Sequence, residues 1–548
     1  MEPDNIERYD RQIRLWGVHG QDKCSNSKIC LINANALGVE ILRNLCLAGI
    51  GSFTILDSHK LAAEDVGSSF IPQSSVGKSR GETARRMLID INDEITGEVH
   101  KLENYLPQVE TNDNLNLDFW KQFNCVIASG SLYIDQITRL SKICWTINTP
   151  LILCKSIGFF ASMRSQIREH LIIETHPDSI IPEFNLDKPF KDLSDYLNSI
   201  NLNENPDRLN DYPYVVILYK YLKLWQEQNS LEDNTLPRTY PEKKALKTMI
   251  DEGLKEIKTE MPLENFFEAT RAVNTMIGDS SKVPESVDKI FNHRKAVQTP
   301  VQNLPSFWLI IKAMKEFVEK NKRLPVSGYI PDMISSSEEY IRLQAIYSKK
   351  AHEDVESVFN MVQNLIHSSS CSPGSSLFDE TKLLCKNIRD LRLISTDLVS
   401  ETYSCKVCNL ISDDGDDQFY TIELCLKALD IFFSTYGRMP GCDQVEIDIN
   451  KLKDCVRKIA GNACNQLKSL DQYLYEVCRF GGAELHATSA FIGGCIAQEV
   501  IKLITNQYVP IEDTLVYDAV TATTKSFRFF EVFGRTESRS NSPKSLDQ

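Results

Sequence analysis

A strand–turn–helix–strand pattern over residues 28–57 constrains the fold of this chain more than any other feature. KICLINA (28–34) is a short apolar run suited to a buried parallel strand, and VEILRNLCLAG (39–49) has apolar residues at helical spacing. SFTILD (52–57) is a second apolar run, and it ends at Asp57. This order predicts a doubly wound α/β sheet of the nucleotide-binding kind.

The turn between the first strand and the helix is a poor phosphate cradle. A dinucleotide fingerprint needs several glycines, so that backbone amides can approach phosphate oxygens closely. Residues 33–38 read NANALG, and only Gly38 remains, a glycine expected to let the helix pack closely on the strand. Asp57 is placed either to accept a ribose hydroxyl or to cap a loop at the strand end. The missing glycines favour the second role, and they make an NAD-linked dehydrogenase the weakest functional interpretation.

The strand pattern continues and is then interrupted. CVIAS (125–129) and PLILC (150–154) predict two further strands, whereas the segments at 213–228, 305–320 and 420–437 have helical apolar spacing. We therefore predict an α/β unit split by a mostly helical insertion. The predicted divisions are a first α/β part at 1–165, the insertion at 166–480, a returning α/β part at 481–534 and a disordered polar tail at 535–548.

Composition excludes some classes of protein. The chain has 61 basic and 75 acidic side chains, a net charge of −14, which argues against a nucleic-acid-binding protein. We find no apolar run of about 18 residues, so no membrane span is expected. The opening MEPDNIERYDR does not read as a secretory signal, so we expect the cytosol or the nucleus. The 16 cysteines are then expected to be free thiols.

The cysteines are unevenly distributed. None lies between residues 155 and 370, and those that follow, such as Cys371, Cys385 and Cys425, lack a neighbouring cation pattern that would favour a thiolate. We interpret most of them as structural. Cys405 and Cys408 form the one CxxC, but a structural zinc site normally needs a second pair of ligands, so we expect no metal site.

Several segments together resemble a known family. RYDRQIRLWG (8–17), GVEILRNLCLAGIGSFTILD (38–57) and ATSAFIGGCIAQEVIKLIT (487–505) resemble the ubiquitin-like-modifier activating enzymes. VSGYIPDMISSSEEYIRLQ (326–344) and the overall length narrow the resemblance to the regulatory subunits of heterodimeric neddylation-activating enzymes, of the amyloid-precursor-protein-binding or auxin-resistance type. The resemblance implies a Rossmann-like adenylation domain of the ThiF/MoeB type, split by an insertion that holds the thioester-forming cysteine in catalytic relatives.

The resemblance also implies that this adenylation half is inactive. Asp57 matches the family's ribose aspartate, but Arg80 stands at the position of a lysine. Ser68 falls where an arginine is expected, and Leu132 falls near the position of the magnesium-binding aspartate. Gly38, Asp57 and Arg80 would be a degenerate remnant that binds no cofactor, while ATP and magnesium would be bound by a catalytic partner.

One functional group survives by resemblance. Arg11 matches an N-terminal arginine that crosses the subunit interface, where a guanidinium can stabilise phosphoryl-type charge. The alternative from the residues alone is a surface pair with Asp10 or with another surface acid. By resemblance, a contact with the catalytic partner would include Asp332, Met333, Ile334, Tyr340, Ile341, Leu343 and Gln344. Further implied partners are a Nedd-type modifier and, through the complex, a conjugating enzyme.

The leading hypothesis is a regulatory subunit that is inactive alone. With its partner it would use ATP to adenylate a Nedd-type modifier and load it as a thioester for protein neddylation. Two alternatives stay open. A self-sufficient ubiquitin-like or sulfur-carrier adenylating enzyme would need ordered Mg–ATP near Asp57, and a purely non-catalytic adaptor would need no chemistry at all.

Overall fold

The structure is a computed structural model, and it divides into two compact units. Its described residues are 3–69, 71–108, 116–176, 184–203, 206–232, 235–257, 262–367, 377–404, 417–441, 444–461, 464 and 467–533. One unit, the sheet unit, comprises Met1–Ile172 and Leu393–Gln548, and the other, the helical unit, comprises Ile173–Arg392. The α/β part is therefore split in sequence by an insertion, as predicted.

Ten strands lie in the described residues. They are β1 (Lys28–Ile32), β2 (Ser52–Leu56), β3 (Thr96–His100), β4 (Cys125–Ser129), β5 (Leu151–Ile157), β6 (Phe160–Gln166), β7 (His170–Ile172), β8 (Arg392–Ile394), β9 (Thr514–Asp518) and β10 (Thr523–Phe527). Eight form one sheet in the order β10-β9-β6-β5-β4-β1-β2-β3, and β7 pairs with β8 in a short second sheet. Strands β1 to β5 are mutually parallel, while β6, β9 and β10 join antiparallel.

The strand order creates a topological switch point. From β1 the chain passes to β2 and β3 on one side, and later to β4 and β5 on the other. In open α/β sheets the crevice outside the carboxyl ends of the strands at such a point is where ligands bind. The carboxyl ends of β1 and β4 therefore mark the place where a nucleotide would be expected.

The α-helices of the described chain fall into three groups along the sequence. The first part of the sheet unit has α1 (Pro3–Arg8), α2 (Asp10–Ser25), α3 (Ala36–Ala48), α4 (Ala63–Ser68), α5 (Arg80–Ile91), α6 (Leu117–Lys121) and α7 (Ile134–Ile147). The helical unit has α8 (Lys191–Ser199), α9 (Tyr214–Gln228), α10 (Tyr240–Glu256), α11 (Glu264–Ala272), α12 (Glu285–Phe291), α13 (Arg294–Val297), α14 (Ser306–Asn321), α15 (Ser337–His367) and α16 (Leu377–Lys386). The returning part has α17 (Glu401–Ser404), α18 (Asp417–Tyr436), α19 (Val445–Ala460), α20 (Leu470–Phe480), α21 (His486–Thr505) and α22 (Phe529–Phe533).

The returning helix α21 packs against α3 and completes the core over the sheet. Apolar side chains of both helices, among them Ile41 and Ile496, belong to one buried cluster with the strands. A Cβ on Gly493 would lie 3.1 Å from the Glu40 Cβ, so glycine allows the close approach. By length and composition α21 could cross a membrane, but 56% of its apolar window is buried inside the protein, as in a core helix.

The predicted elements of the α/β part are confirmed to within a few residues, but the division at residue 480 is wrong. Helices α18, α19 and α20 group with the sheet unit, and the helical unit ends at Arg392. Their apolar faces form a core cluster that includes Phe160 of β6 and Val516 of β9. Helical spacing alone does not say which core a helix covers. The tail predicted at 535–548 lies outside the described residues.

Candidate functional site

In the turn after β1, the backbone amides donate hydrogen bonds to side chains of the protein itself. Asn33 has a φ of 66°, which turns the chain away from the strand. Asn35 caps α3, because its side-chain oxygen accepts from the Gly38 N–H at 3.1 Å. A Cβ on Gly38 would lie 2.5 Å from the Asn33 carbonyl oxygen and 3.2 Å from Leu31 Cδ1, so Gly38 serves close helix–strand packing, as predicted.

Asp57 lies at the carboxyl end of β2 with a side chain that is not exposed to solvent. Its Oδ2 accepts from the Ala34 N–H at 2.8 Å and from Arg80 Nε at 2.7 Å. Its Oδ1 accepts from the His59 N–H at 2.8 Å and lies 3.0 Å from His59 Nδ1. Four contacts from the chain thus surround the two carboxylate oxygens.

These contacts fix the charge of Asp57. Burial by itself would raise the pKa of this carboxyl, but the hydrogen bonds from His59 and the charge and hydrogen bond of Arg80 lower it to about 2. Asp57 is therefore ionised at neutral pH and is held in a buried ion pair with Arg80. In this arrangement it ties β2 to the turn after β1 and to the start of α5, and a ribose hydroxyl would have to displace one of these donors.

A carboxylate from the returning part occupies the amino end of α3. Glu484 Oε2 accepts from the Ala36 N–H at 2.9 Å, and its Oε1 accepts from Asn35 Nδ2 at 2.8 Å and from the Leu37 N–H at 3.4 Å. Burial raises the pKa of Glu484 to about 7, against the lowering effect of the Ala36 and Leu37 amides. Sequence reasoning missed Glu484, because nothing in the local sequence connects it with a turn 449 residues earlier.

The two positions expected to lack catalytic groups lie close to the core. Leu132 is buried in a cluster with Trp120 and Val126. The Ser68 hydroxyl donates to the Asp65 carbonyl oxygen at 3.3 Å. The apolar side chain of Leu132 offers no ligand to a magnesium ion, which prefers carboxylate and water oxygens.

Arg11 differs from the neighbouring residues of its motif. Arg8 donates to Asn92 Oδ1 at 2.9 Å, and the buried Tyr9 accepts from Asn92 Nδ2 at 3.1 Å. Asp10 pairs with Arg14 at 2.9 Å, so the surface pair considered for Arg11 is formed by another residue. Arg11 itself is exposed in the first turn of α2, and no described side chain forms a hydrogen bond or an ion pair with it. The motif therefore fixes the helix and leaves this guanidinium accessible.

The thiols that the structure describes are buried, except that of Cys495, which is half-buried. Cys385 and Cys425 are buried, as predicted, and burial raises the pKa of both thiols, which keeps them protonated at neutral pH. Cys371, Cys405 and Cys408 lie outside the described residues. Within the part of the chain that is described, no group of three His, Cys, Asp or Glu side chains is arranged to hold a metal ion.

The residues predicted to contact a partner fall into three groups in the helical unit. Asp332, Ile341 and Gln344 are exposed, and Ile341 has 61% of its surface accessible. Met333, Ile334 and Tyr340 are half-buried, and the Ile334 N–H donates to Glu268 Oε2 at 3.0 Å. Leu343 is fully buried in the core of the helical unit, so its prediction as a contact residue is wrong. It lies four residues before the buried Tyr347, on the inward stripe of α15.

The fold and the turn define the class. The sheet with a switch point, the degenerate nucleotide turn and the returning helix form a ThiF-type Rossmann-like unit, and the model of the ThiF family matches residues 9–178. Proteins that are similar in sequence over nearly the whole chain indicate a particular family within this class. A NEDD8-activating enzyme E1 regulatory subunit of Gallus gallus is 38% identical, over 95% of this chain and 98% of that protein.

Proteins of the same description show the same extent of similarity. One from Danio rerio is 36% identical over 95% of this chain and 98% of that protein. One from Arabidopsis thaliana is 33% identical over 95% of this chain and 96% of that protein. The chain belongs to the family of NEDD8-activating enzyme E1 regulatory subunits, which confirms the resemblance read from its motifs.

Proposed function

We propose that this chain is the non-catalytic subunit of a heterodimer in which a catalytic partner binds ATP and magnesium. The partner adenylates the carboxyl terminus of a NEDD8-type modifier and then loads the modifier as a thioester. This chain contributes Arg11 to the partner's reaction and does not adenylate the modifier itself. The observation that carries the proposal is the contrast between Arg11 and the closed nucleotide region of the same unit.

The first support is the position of Arg11. Its motif anchors Arg8 and Tyr9 on the sheet unit, through Asn92, and leaves Arg11 exposed at the start of α2. A guanidinium offers five donors in a planar fork that matches phosphate oxygens. An arginine held by a rigid base and projecting outward is suited to act on a site in another subunit.

The second support is the occupied nucleotide region of this chain. The carboxylate of Asp57 is engaged by Arg80, His59 and the Ala34 amide, and the amides at the start of α3 are engaged by Glu484. A nucleotide would have to break these contacts before it could form its own. We therefore propose that this chain binds no ATP or magnesium and that both belong to the partner.

The third support concerns the thioester. The thiols of Cys385 and Cys425 are buried and protonated, which makes them poor nucleophiles. We propose that the thioester forms on the partner.

The exposed residues Asp332, Ile341 and Gln344 are proposed as part of the partner contact. We also propose the cytosol or the nucleus as the location of the complex.

The role of Arg11 is tested by comparing Arg11→Ala with Arg14→Ala in the heterodimer. Both arginines are exposed and lie one turn apart on α2, but Arg14 is paired with Asp10. We expect Arg11→Ala to lower the rate constant of modifier adenylation about 10³-fold, the lower end for inserted arginines. Arg14→Ala should stay within about threefold, because exposed ion pairs contribute little. Equal rates for the two variants would contradict the proposal.

A further inference from the structure

Glu484 lies where two distant parts of the sheet unit meet. It belongs to the segment before α21, and the Gly158 N–H at the end of β5 donates to the Ala483 carbonyl oxygen at 2.8 Å. Gly158 and Glu484 also form an isolated parallel bridge. This backbone pairing fixes the point from which the Glu484 side chain extends to the amino end of α3.

The contacts of Glu484 are those that a bound anion makes in a nucleotide fold. Its carboxylate accepts from the Ala36 and Leu37 amides and from the Asn35 side chain. The amino end of a helix carries partial positive charge and unsatisfied N–H groups, and in the doubly wound fold a nucleotide phosphate binds there. The helix in question is the one that follows β1, at the switch point of the sheet.

The neighbouring amides are also occupied. The Ala34 N–H donates to Asp57, and the Gly38 N–H donates to the Asn35 side chain. In the turn from Ala34 to Gly38, four of the five backbone amides therefore have an acceptor that comes from the chain itself. A phosphate at this helix end would meet a carboxylate in its place.

We propose that Glu484 is a built-in anion that takes the place of a nucleotide phosphate at α3. It closes the site from within and fastens the returning part of the sheet unit to the first part. On this proposal, two features prevent nucleotide binding. The glycines and ligand residues are missing, and the Glu484 carboxylate occupies the position of the phosphate. The inference does not depend on the role of Arg11.

The test is an anion titration of the full-length chain without its partner, at pH 8.5, where the Glu484 carboxylate is ionised. The thermal midpoint is measured against inorganic phosphate, with chloride adjusted to keep the ionic strength constant. Glu484→Ala is compared with wild type and with Glu512→Ala, a matched removal of an exposed acid that pairs with Arg528 in the same returning part.

We expect phosphate to stabilise Glu484→Ala alone. For an affinity of about 1 mM, 50 mM phosphate would raise the ratio of folded to unfolded protein about fiftyfold. The proposal would be overturned if phosphate raised the thermal midpoint of wild type as much as that of Glu484→Ala, or if it raised neither. Because no partner, modifier or ATP is present, this result is separate from any failure of the proposed function.

A second variant covers the case in which Glu484→Ala does not fold. Glu484→Gln keeps the size of the side chain but removes its charge and one acceptor oxygen. At least one of the Ala36 and Leu37 amides should then exchange its hydrogen about tenfold faster, because its charged acceptor has been lost. Unchanged protection of both amides would overturn the inference.

Discussion

The attachment of α2 to the sheet unit leads to a sharp prediction about Asn92. Asn92 is 2% exposed and follows the last residue of α5. Its Nδ2 donates to the Tyr9 hydroxyl oxygen at 3.1 Å and to the Cys46 carbonyl oxygen at 3.0 Å, and its Oδ1 accepts from Arg8 at 2.9 Å. One buried amide therefore links the start of α2 to the end of α3.

The substitution Asn92→Ala removes these links. Two buried hydrogen bonds at about 1 kcal/mol each predict a loss of about 2 kcal/mol in the free energy of unfolding. The bond from Arg8 adds little, because that arginine also lies near Asp93 and Glu94. The first turn of α2 then loses its fixed base, and displacement of a functional group by about 1 Å can cost about 10²-fold in rate.

The assay is the rate constant of modifier adenylation by the heterodimer at saturating partner and ATP. We expect Asn92→Ala to lower it by about 10- to 100-fold, and the variant with both Asn92→Ala and Arg11→Ala to be no slower than Arg11→Ala alone. Asn265→Ala is the matched control, because Asn265 is also buried and its Nδ2 also donates to two carbonyl oxygens, but within the helical unit. It should cost similar stability and leave the rate unchanged.

Two results would refute the reasoning about Asn92. If the effects of Asn92→Ala and Arg11→Ala multiply, the two residues act independently, and Asn92 does not position the arginine. If Asn265→Ala lowers the rate as much as Asn92→Ala, the loss reflects stability alone.

Three further predictions concern the turn and the partner contact. Because the pKa of Asp57 is held at about 2, below its ordinary 3.8, its ionised form stabilises the folded state above about pH 4, and this contribution is lost as the pH falls towards 2. Asp57→Asn should therefore lower the free energy of unfolding by about 2 kcal/mol at pH 7 in denaturant titrations, and the difference from wild type should shrink below pH 4. Gly38→Ala should lower the thermal midpoint, because its Cβ would lie 2.5 Å from the Asn33 carbonyl oxygen. Ile341→Ser should weaken the heterodimer about tenfold in a binding titration, because it removes an exposed apolar side chain from the proposed contact.

Matched variants separate these effects from general damage. A Cβ at Gly494 would meet nothing within 4 Å, so Gly494→Ala on α21 should leave the midpoint unchanged or raise it. Val297 is also exposed, with 52% of its surface accessible, but lies outside the proposed contact, so Val297→Ser should leave partner affinity unchanged. A stability difference for Asp57→Asn that does not vary with pH would contradict the role given to its charge.

The α/β part was predictable because its signals are local. Short apolar runs separated by a helical period predict strands and a helix, and Gly49 ends α3 in the left-handed conformation with a φ of 82°. The antiparallel strand β6 was not predicted, because FASMRSQ mixes apolar and polar residues although all seven positions are buried. Some of its polar side chains have partners elsewhere in the chain, such as Gln166, which accepts a hydrogen bond from the Ser141 hydroxyl at 2.6 Å.

The side-chain contacts that fill the site were harder to predict than the absence of the expected nucleotide-binding residues. Missing glycines and the apolar Leu132 can be read from a pattern of expected residues. The ion pair between Asp57 and Arg80 joins positions 23 residues apart, and the contact of Glu484 with the α3 amides joins segments about 450 residues apart. No periodicity encodes such contacts, because they depend on how the returning part folds back onto the first.

The central claim is that this chain assists adenylation without performing it. ATP–pyrophosphate exchange, measured with modifier and magnesium for the full-length chain alone and for the heterodimer, tests it most directly. The account predicts no exchange above background by the chain alone, exchange by the heterodimer, and a loss of about 10³-fold with Arg11→Ala. Modifier-dependent exchange by the chain alone would contradict the account, because it would mean that the nucleotide region occupied by Glu484 and Arg80 is catalytically competent.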